Sequence, residues 1–551
     1  MKNKKKKIGF TLIELLAVII VLAIIALIAT PIIFNVIENA KLKSLENSCY
    51  GVIDGVRTNY AEGLLNSEDG TVKSKGNVTE ITVAGEQPIA GTWEIDNSSD
   101  SDNRGIKIKD VKFGSMKDYT CTNVNSDGTI NSKVTCTKGG SDGPVSEYTD
   151  NSGANKPELF NNMKPIKYEN NKWIIADLGQ KWYDYDAKEW ANAVVLNSGV
   201  TKNVGDEVTE EDVALWYVWI PRYKYTIFNG NNGSAAAQLI NVTFESGISR
   251  TGTVTCTDNA DGSETCTTIT NGTSTYTHPA FKFGNTELTG FWVGKFEIST
   301  TDSTCNSSAS SANCNKVLIM TIKPNVSSWR YATISNHFTS IQNARTTYGI
   351  SNADSHMLKN MEWGAVAYLK QSKYGLGIKD IGINNNSNYI TGCGAASGSK
   401  KSSTCDEYNT ANGMLSSTTG NIYGVYDMSG GAWEYVMGNV NNSSNAFYSS
   451  NAGFTTAPDA KYYDSYKYDS SSSSTHARGK LGDATKETLA TFGSNTGGWY
   501  SDDAYFPNSS YSWFNRGGFY SYGSRTGVFY FGGSNGGGHT DISARAVLSA
   551  Q

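Results

Sequence analysis

The hydrophobic and polar positions follow a helical pattern over the first part of the chain. An apolar run extends from Phe10 to about Ile33, and Glu14 is the only charged residue within it. Apolar residues then recur at roughly helical spacing up to Asn66, which predicts one long helix over 10–66. About 20 apolar residues of helix can cross a hydrocarbon core, so the first part of this helix is predicted to lie in a membrane. A carboxylate in such a segment usually has a partner, and no Lys or Arg lies between Lys7 and Lys41 to provide one.

The pattern changes after the predicted helix. Residues 67–138 contain stretches such as ITVAGEQPIAGTWEI and IKIKDVKFGS, whose alternation and turns predict a small antiparallel sheet. Residues 139–157 are rich in Gly, Ser, Asp and Asn and predict a linker. The remainder, 158–551, is far more aromatic and is predicted to hold a separate module, because single cores rarely exceed roughly 250–300 residues.

Eight of the nine cysteines form close pairs along the sequence, and two of these pairs bracket an Asp-Gly turn signal. Spacings of the Cys-x-x-Cys type are absent, which favours disulfides over metal binding and indicates an oxidising exterior. Cys49 remains alone in the predicted helix, where we expect a buried thiol. The predicted disulfides join Cys121 to Cys136, Cys256 to Cys266, Cys305 to Cys314, and Cys393 to Cys405.

Composition and charge narrow the function further. The chain of 551 residues has a net charge of −5 and is rich in Gly, Ser, Thr, Asn and Tyr, as suits a protein of the cell exterior. No long basic patch occurs beyond the N-terminal lysines, so nucleic acid is not expected as the ligand.

The N-terminal residues Gly9-Phe10-Thr11-Leu12-Ile13-Glu14 resemble the type IV prepilin signature. This resemblance implies that a prepilin peptidase cuts after Gly9, which removes the leader 1–9, and that Phe10 becomes an N-methylated terminus. It also implies that Glu14 meets the terminal amine of a neighbouring subunit during filament assembly. Pro31 stands where these pilins have a helix-bending proline. The alternatives are a plain membrane anchor, which leaves Glu14 unexplained, and a secretory signal, for which the apolar run is too long.

Four motifs in the second module resemble the C-type-lectin-like fold of formylglycine-generating enzymes and of the variable proteins of diversity-generating retroelements. They are GFWVGKFEIS (290–299), MLKNMEWGAVAYLKQSKYG (357–375), GNIYGVYDMSGGAWEYVMGN (420–439) and RGGFYSYGSRTGVFYF (516–531). The resemblance covers 290–551, and we assign 158–289 to the aromatic-rich N-terminal part of the same binding module. In the third motif, Gly431 replaces an Asn and Tyr435 a Trp of the family pattern. A structural calcium ion of the family therefore stays unassigned, and we predict no cofactor and no metal ligand.

The resemblance also argues against catalysis. Formylglycine-generating enzymes use two cysteines near the end of the fold, whereas this chain has none after Cys405. Its five histidines are scattered, and no hydrolase or phosphate-loop motif occurs. We therefore predict that the protein is not an enzyme, and an enzyme of the formylglycine-generating fold remains the less favoured alternative.

The segment 514–550 contains no Lys, Glu, Gln, Trp or Met. Retroelement diversification of AAC codons cannot produce these five residues, so the resemblance implies that the segment is a variable region; a Gly-rich tail of the same composition by chance is the alternative. Tyr and Phe supply contact area while Ser and Asn adapt their hydrogen bonds, as in an antibody paratope. We expect Arg516 and Arg545 to hold the scaffold and Trp433 to lie in the core. The predicted ligand contacts are Phe519, Tyr520, Tyr522, Tyr530, Phe531, Ser534, Asn535, His539, Thr540 and Asp541.

The sequence thus predicts an α+β protein with a long N-terminal helix, a small antiparallel β pilin head, a linker and a C-type-lectin-like module. Its predicted function is that of a minor or tip subunit of a type IV pilus that displays a ligand-binding domain for adhesion. The expected partners are other pilin subunits, prepilin peptidase, an unknown protein or glycan ligand, and the membrane before assembly. The expected location is the cell membrane and then an extracellular pilus on the bacterial surface. A structural major pilin with a non-binding coat domain is the alternative.

Overall fold

The structure is a computed structural model that divides the chain into two compact units, Met1–Ser146 and Glu147–Gln551. It describes residues 41, 43–66, 72–95, 105–116, 119–124, 129–138, 148–230, 236–307, 311–350, 352–441, 451–468, 478–491 and 497–551. Gly9, Phe10, Glu14 and Pro31 lie outside these residues. Within the described part of the chain, no helix has the length and apolar character needed to cross a membrane.

The first unit combines one helix with a five-stranded antiparallel sheet. Helix α1 covers residues 43–66, and the strands follow one another in sequence order across the sheet. The strands are β1 (Lys75–Asn77), β2 (Pro88–Ile95), β3 (Ile106–Phe113), β4 (Tyr119–Val124) and β5 (Ile130–Lys138).

The helix contributes one apolar face to the core of this unit. Leu45, Val52, Ile53 and Val56 recur at helical spacing and are buried against the sheet. The face ends before Leu64, which is 48% exposed although the apolar pattern extends to it. Directly opposed positions in β4 and β5 carry the disulfide Cys121–Cys136.

The second unit is built around a seven-stranded antiparallel sheet in the order β20-β26-β17-β9-β8-β6-β7. Strand β9 is buried along its whole length, because both faces of the sheet are covered. These strands are β6 (Met163–Glu169), β7 (Lys172–Ile175), β8 (Asn192–Leu196), β9 (Val213–Pro221), β17 (Gly290–Gly294), β20 (Asp354–Met357) and β26 (Ala546–Ser549).

A second, mixed sheet brings the C-terminal segment together with the third sequence motif. Its order is β22-β21-β23-β24, and β25 pairs with β21 in parallel. These strands are β21 (Trp433–Asn441), β22 (Asp464–Lys467), β23 (Trp513–Arg516), β24 (Phe531–Ser534) and β25 (Ile542–Ala544).

Two α-helices and four small sheets complete the described part of the second unit. Helix α2 is Ile334–Thr347 and helix α3 is Asn360–Lys370; every residue of α3 is buried. The small sheets contain β10 (Tyr223–Thr226) with β11 (Val242–Phe244) and β14 (Thr275–Thr277), β12 (Cys256–Asp258) with β13 (Glu264–Cys266), β15 (Lys282–Phe283) with β16 (Thr286–Glu287), and β18 (Ser299–Thr300) with β19 (Met320–Thr321). The fold of the described chain is therefore mixed, with few helices and mostly antiparallel sheets.

The second unit begins at Glu147, before the predicted boundary at residue 158. Residues 148–157, which the composition placed in a linker, belong to the unit: Asp150 and Ala154 are buried, and Asp150 accepts a hydrogen bond from the backbone of Tyr185. Strands β9 and β17 are neighbours in one sheet, so the predicted parts 158–289 and 290–551 share one core.

The four predicted disulfides are present, and Cys49 is a buried free thiol. Cys256 and Cys266 face each other across β12 and β13, and the Asp261-Gly262 turn connects these strands. Asp127 and Gly128, the turn predicted for the other hairpin, lie outside the described residues.

Candidate functional site

Five aromatic side chains form a continuous surface cluster in the second unit, which we call the aromatic patch. The indole of Trp433 stacks on Phe519, with centroids 4.8 Å apart and planes 18° apart. Tyr522 meets Trp433 edge-on at 5.4 Å, and Tyr520 meets Tyr389 edge-on at 5.0 Å. The ring centroids of Phe519 and Tyr520 lie 4.3 Å apart, and this contact joins the rings around Trp433 to the pair formed by Tyr520 and Tyr389. All five side chains are half-buried, so each presents part of its surface to solvent.

Backbone hydrogen bonds fix the position of the patch on the mixed sheet. The amide of Tyr520 donates to the carbonyl of Gly431 over 3.0 Å, and the amide of Trp433 donates to the carbonyl of Asp541 over 2.9 Å. Trp433 is the first residue of β21, so its backbone belongs to a regular strand. The chain segments that carry Trp433 and Tyr520 are thus held together through main-chain contacts that do not depend on the aromatic side chains.

Gly431 is needed beneath the patch for two reasons. Its φ angle is 71°, in the left-handed region that favours glycine. A Cβ atom at this position would also collide with the carboxylate of Glu297. That carboxylate accepts a hydrogen bond from the amide of Ala432 over 3.0 Å. The positive φ angle and the Glu297 carboxylate both favour glycine at position 431.

A buried ion pair lies below the patch. Arg545 donates from Nε to Oε2 of Glu434 over 2.8 Å and contacts the other carboxylate oxygen through Nη2. Burial alone would lower the pKa of Arg545, but the Glu434 carboxylate raises it. Burial and the charges of Asp427 and Glu434 raise the pKa of Glu297 well above its usual range. Arg545 is thus the cation that offsets this group of buried carboxyls.

Arg516 holds a second part of the scaffold. It ends strand β23, is fully buried, and donates to the side chain of Asn360 and to the carbonyls of Asp483 and Ala484 at 3.1–3.3 Å. Arg516 therefore connects the mixed sheet to helix α3 and to the loop at 483–484. These contacts fit the scaffold role predicted for it.

Two further arginines contact rings of the patch. The guanidinium carbon of Arg330 lies 3.8 Å from the ring centroid of Tyr389, and its Nη1 donates to the carbonyl of Thr540 over 2.5 Å. The guanidinium carbon of Arg525 lies 4.1 Å from the ring centroid of Tyr522. Such stacking restricts the orientation of both rings before a ligand arrives.

The predicted ligand contacts divide into two groups. Phe519, Tyr520 and Tyr522 belong to the aromatic patch. The segment 535–541 adjoins it through the contacts of Thr540 and Asp541, and its predicted residues are half-buried or exposed. Ligand contact by these residues stays a prediction. They are Phe519, Tyr520, Tyr522, Asn535, His539, Thr540 and Asp541.

Three predicted contacts need correction because their side chains are buried. Phe531 lies in the core beside Phe506, with centroids 6.1 Å apart. Tyr530 is 6% exposed. Ser534 is 5% exposed, and its hydroxyl pairs with that of Tyr435 at 2.8 Å. These three residues support the surface from below and present almost no area to a ligand.

Trp433 was predicted to lie in the core, and it lies at the edge of it. Its side chain packs against the core with Nε1 buried, but the residue as a whole is half-buried and its ring stacks on Phe519. Sequence reasoning also missed Tyr389, which lies in the polar stretch NNNSNYITG far from the C-terminal segment. No periodicity or motif identifies Tyr389, whereas Arg525 lies within the predicted variable region and could have been included.

Two groups of potential metal ligands occur among the described residues. Among the described residues, the clusters of three or more ligand atoms close enough to share an ion both contain a disulfide. The sulfur atoms of a disulfide are poor metal ligands, because metals bind the thiolate. These clusters do not identify a metal centre.

The sequence profile of the prokaryotic N-terminal methylation motif matches residues 4–30. This match includes Gly9, Phe10 and Glu14, which carried the predicted prepilin signature. The chain therefore has an N-terminal methylation motif. No curated protein matches the chain.

Solved structures similar to this chain include three variants of the Major Tropism Determinant. The I1 variant is 11% identical over 87% of this chain and 83% of its own, with a TM-score of 0.25. The U1 variant is 11% identical over 88% and 86%, with a TM-score of 0.23, and the P3c variant is 12% identical over 87% and 83%, with a TM-score of 0.22. TM-scores this low do not establish a shared fold, so the C-type-lectin-like fold stays a prediction.

Proposed function

We propose that this protein is a type IV pilin-like subunit that displays its second unit as a C-type-lectin-like ligand-binding module for adhesion. Prepilin peptidase cuts the precursor after Gly9, and the remaining chain assembles with other pilin subunits. The aromatic patch and the adjoining segment 535–541 contact the ligand. The methylation motif at residues 4–30 supports the first part of this proposal.

The aromatic patch is the observation that carries the binding role. Half-buried aromatic rings from separate parts of the chain converge on one surface, and a buried framework that includes Arg516 and Arg545 holds the segments that carry them. Rings that are already ordered lose little entropy when they bind, which favours affinity. Tyr and Trp at the centre of an interface are also the residues most often found as binding hot spots.

Diversification would act on this same surface. The segment 514–550 supplies β24 to β26 and all of β23 except its first residue, and most residues of these strands are buried. It also supplies the two loops at 517–530 and 535–541. In our proposal, variation is confined to loop positions that reach the surface, such as the half-buried Tyr520 and the exposed Thr540, because changes at buried positions would destabilise the sheet. Sequencing the gene from related isolates tests this proposal. Adenine-directed changes that occur equally often in codons for buried and for exposed residues would contradict it.

Binding is tested with fragment 148–551, which includes the buried residues near its start, on arrays of glycans and peptides. Tyr520→Ala is compared with Tyr511→Ala, because Tyr511 is a tyrosine outside the patch that is 52% exposed. A hot spot costs about 2 kcal/mol or more, so Tyr520→Ala should weaken binding by roughly 30-fold. Tyr511→Ala should leave binding unchanged.

Two outcomes would contradict the binding role. One is that folded wild-type fragment captures no glycan or peptide on the arrays. The other is that Tyr520→Ala and Tyr511→Ala bind every captured ligand as tightly as the wild type. Either result would favour the alternative of a structural major pilin with a non-binding coat domain.

A further inference from the structure

Three sulfur atoms meet inside the first unit. The Sγ atoms of Cys49, Cys121 and Cys136 all lie within 4.8 Å of one another. Cys121 and Cys136 form the disulfide between β4 and β5, while Cys49, on helix α1, keeps a free thiol. Cys49 and Cys121 are fully buried, and Cys136 is partly buried at the edge of the core. A thiol therefore faces a disulfide that it can reach without a change of fold.

We propose that Cys49 exchanges with this disulfide, so that the first unit exists in two covalent forms. The Cys49 thiolate attacks Sγ of Cys121; the Cys49–Cys121 bond forms as the Cys121–Cys136 bond breaks. Cys136 leaves as a thiolate and takes up the proton that Cys49 lost. The number of disulfides is unchanged, so the step needs no oxidant or reductant from outside the chain.

Attack on Cys121 is favoured over attack on Cys136 because of the leaving group. Exchange is faster when the departing sulfur is a more stable thiolate, and solvent stabilises a thiolate. Cys136 is the more exposed partner, whereas departure of Cys121 would leave a charge in the core. The expected alternative bond is therefore Cys49–Cys121.

The two forms differ in what they hold together. Cys121–Cys136 joins strands that already pair through backbone hydrogen bonds, with a sequence separation of 15. Cys49–Cys121 ties helix α1 to the sheet and closes a much longer loop, which constrains the unfolded chain more strongly. The alternative form would thus resist separation of the helix from the sheet.

The packed structure slows the exchange. Burial, with a contribution from Glu46, raises the pKa of the Cys49 thiol to about 12. Thiolate is consequently scarce while the helix stays against the sheet, and local opening of this contact would admit water and speed the reaction. The proposal concerns the first unit only and is independent of ligand binding by the second.

The test uses the full chain in detergent, without added oxidant or reductant. Samples incubated at about pH 8 are quenched in acid, alkylated in denaturant, digested without reduction and mapped by mass spectrometry. We expect a Cys49–Cys121 peptide pair with alkylated Cys136 to increase to a plateau beside the Cys121–Cys136 form. The other three disulfides should stay intact and serve as internal controls. If Cys136 remains free of alkylation at every time point, the exchange does not occur.

Two matched variants test the proximity separately, with oxidised glutathione as the two-electron oxidant. In Cys136→Ser, the thiols of Cys49 and Cys121 should form a disulfide in most chains, releasing two molecules of glutathione. In Cys266→Ser, the equivalent hairpin has no third cysteine, and Cys256 should instead remain free or carry glutathione. Cys136→Ser chains that keep the fold but leave Cys121 free or glutathionylated would overturn the proposal. If Cys136→Ser fails to fold, the wild-type time course decides.

Discussion

The indole of Trp433 lies almost parallel to the ring of Phe519, at an interplanar angle of 18° and a centroid distance of 4.8 Å. This contact joins the third sequence motif to the predicted variable region on the surface of the second unit. It places Trp433 in the proposed binding surface, in contrast to the buried tryptophans of the unit.

Trp433→Ala should therefore weaken ligand binding more than it destabilises the fold. Trp363→Ala is the matched control, because Trp363 is fully buried and donates from its indole to the carbonyl of Val528 over 2.7 Å. Full truncation of a core tryptophan costs about 3–5 kcal/mol, and Trp433→Ala should cost clearly less. Chemical denaturation of fragment 148–551 measures both variants. If both variants lose the same unfolding free energy, Trp433 contributes to stability as a core residue does.

The ion pair Arg545–Glu434 should be sensitive to loss of one partner. Arg545→Met leaves Glu434 buried without its cation, beside Asp427 and Glu297, and should destabilise the second unit by about 3–5 kcal/mol. The double variant Arg545→Met/Glu434→Gln removes both charges and should recover part of this loss. Denaturant midpoints of the two variants give the comparison; a double variant less stable than Arg545→Met would show that the ion pair is not the source of the effect.

His356 predicts a pH dependence of stability. It lies between Asp354 at 3.2 Å and Glu362 at 3.0 Å. Burial alone would lower the pKa of His356, but these carboxylates raise it above its ordinary value. Because the pKa of His356 is higher in the folded protein than in the unfolded chain, its protonation stabilises the folded state. This contribution is complete below the unfolded-state pKa of about 6.5 and is lost as the pH rises through the folded-state pKa.

The matched variant for this test is His356→Gln, which cannot become charged. The difference in unfolding free energy between wild type and His356→Gln should be larger at about pH 5.5 than at about pH 9. The pKa values of Asp354 and Glu362 are lowered, with burial opposing the effect of His356, so their contributions are lost only as the pH falls through those lowered values. A difference that is constant, or that grows towards high pH, would mean that His356 is neutral in the folded protein.

The sequence could predict those features that depend on local patterns. Cysteine spacing identified the four disulfides, with an Asp-Gly signal inside two of them, and the apolar repeat identified the helix that ends at Asn66. The burial of Tyr530 could not be predicted, because the glycine-rich loop that carries it has no period from which a buried face can be read. Trp433 begins strand β21, and its contact with Phe519 arises only from the tertiary fold. Tyr389 reaches the patch only through the tertiary fold, and nothing in its local sequence indicates this.

Glu14 is predicted to act in assembly, although it lies outside the described residues. Its proposed partner is the terminal amine of a neighbouring subunit, so Glu14→Ala should leave membrane insertion intact and reduce incorporation into filaments. Glu46→Ala is a control on the same predicted helix beyond the apolar run. Fractionation of membranes and sheared filaments measures both steps. Normal incorporation of Glu14→Ala would show that this carboxylate does not guide assembly.

The central claim is that this chain is processed and displayed as a pilin-like subunit, and mass spectrometry of its N-terminal peptide from sheared surface filaments tests it most directly. The account predicts that the protein in the filaments begins at Phe10 and carries a methyl group on its terminal amine. Surface protein that retains the intact segment Lys2–Lys7 would contradict it.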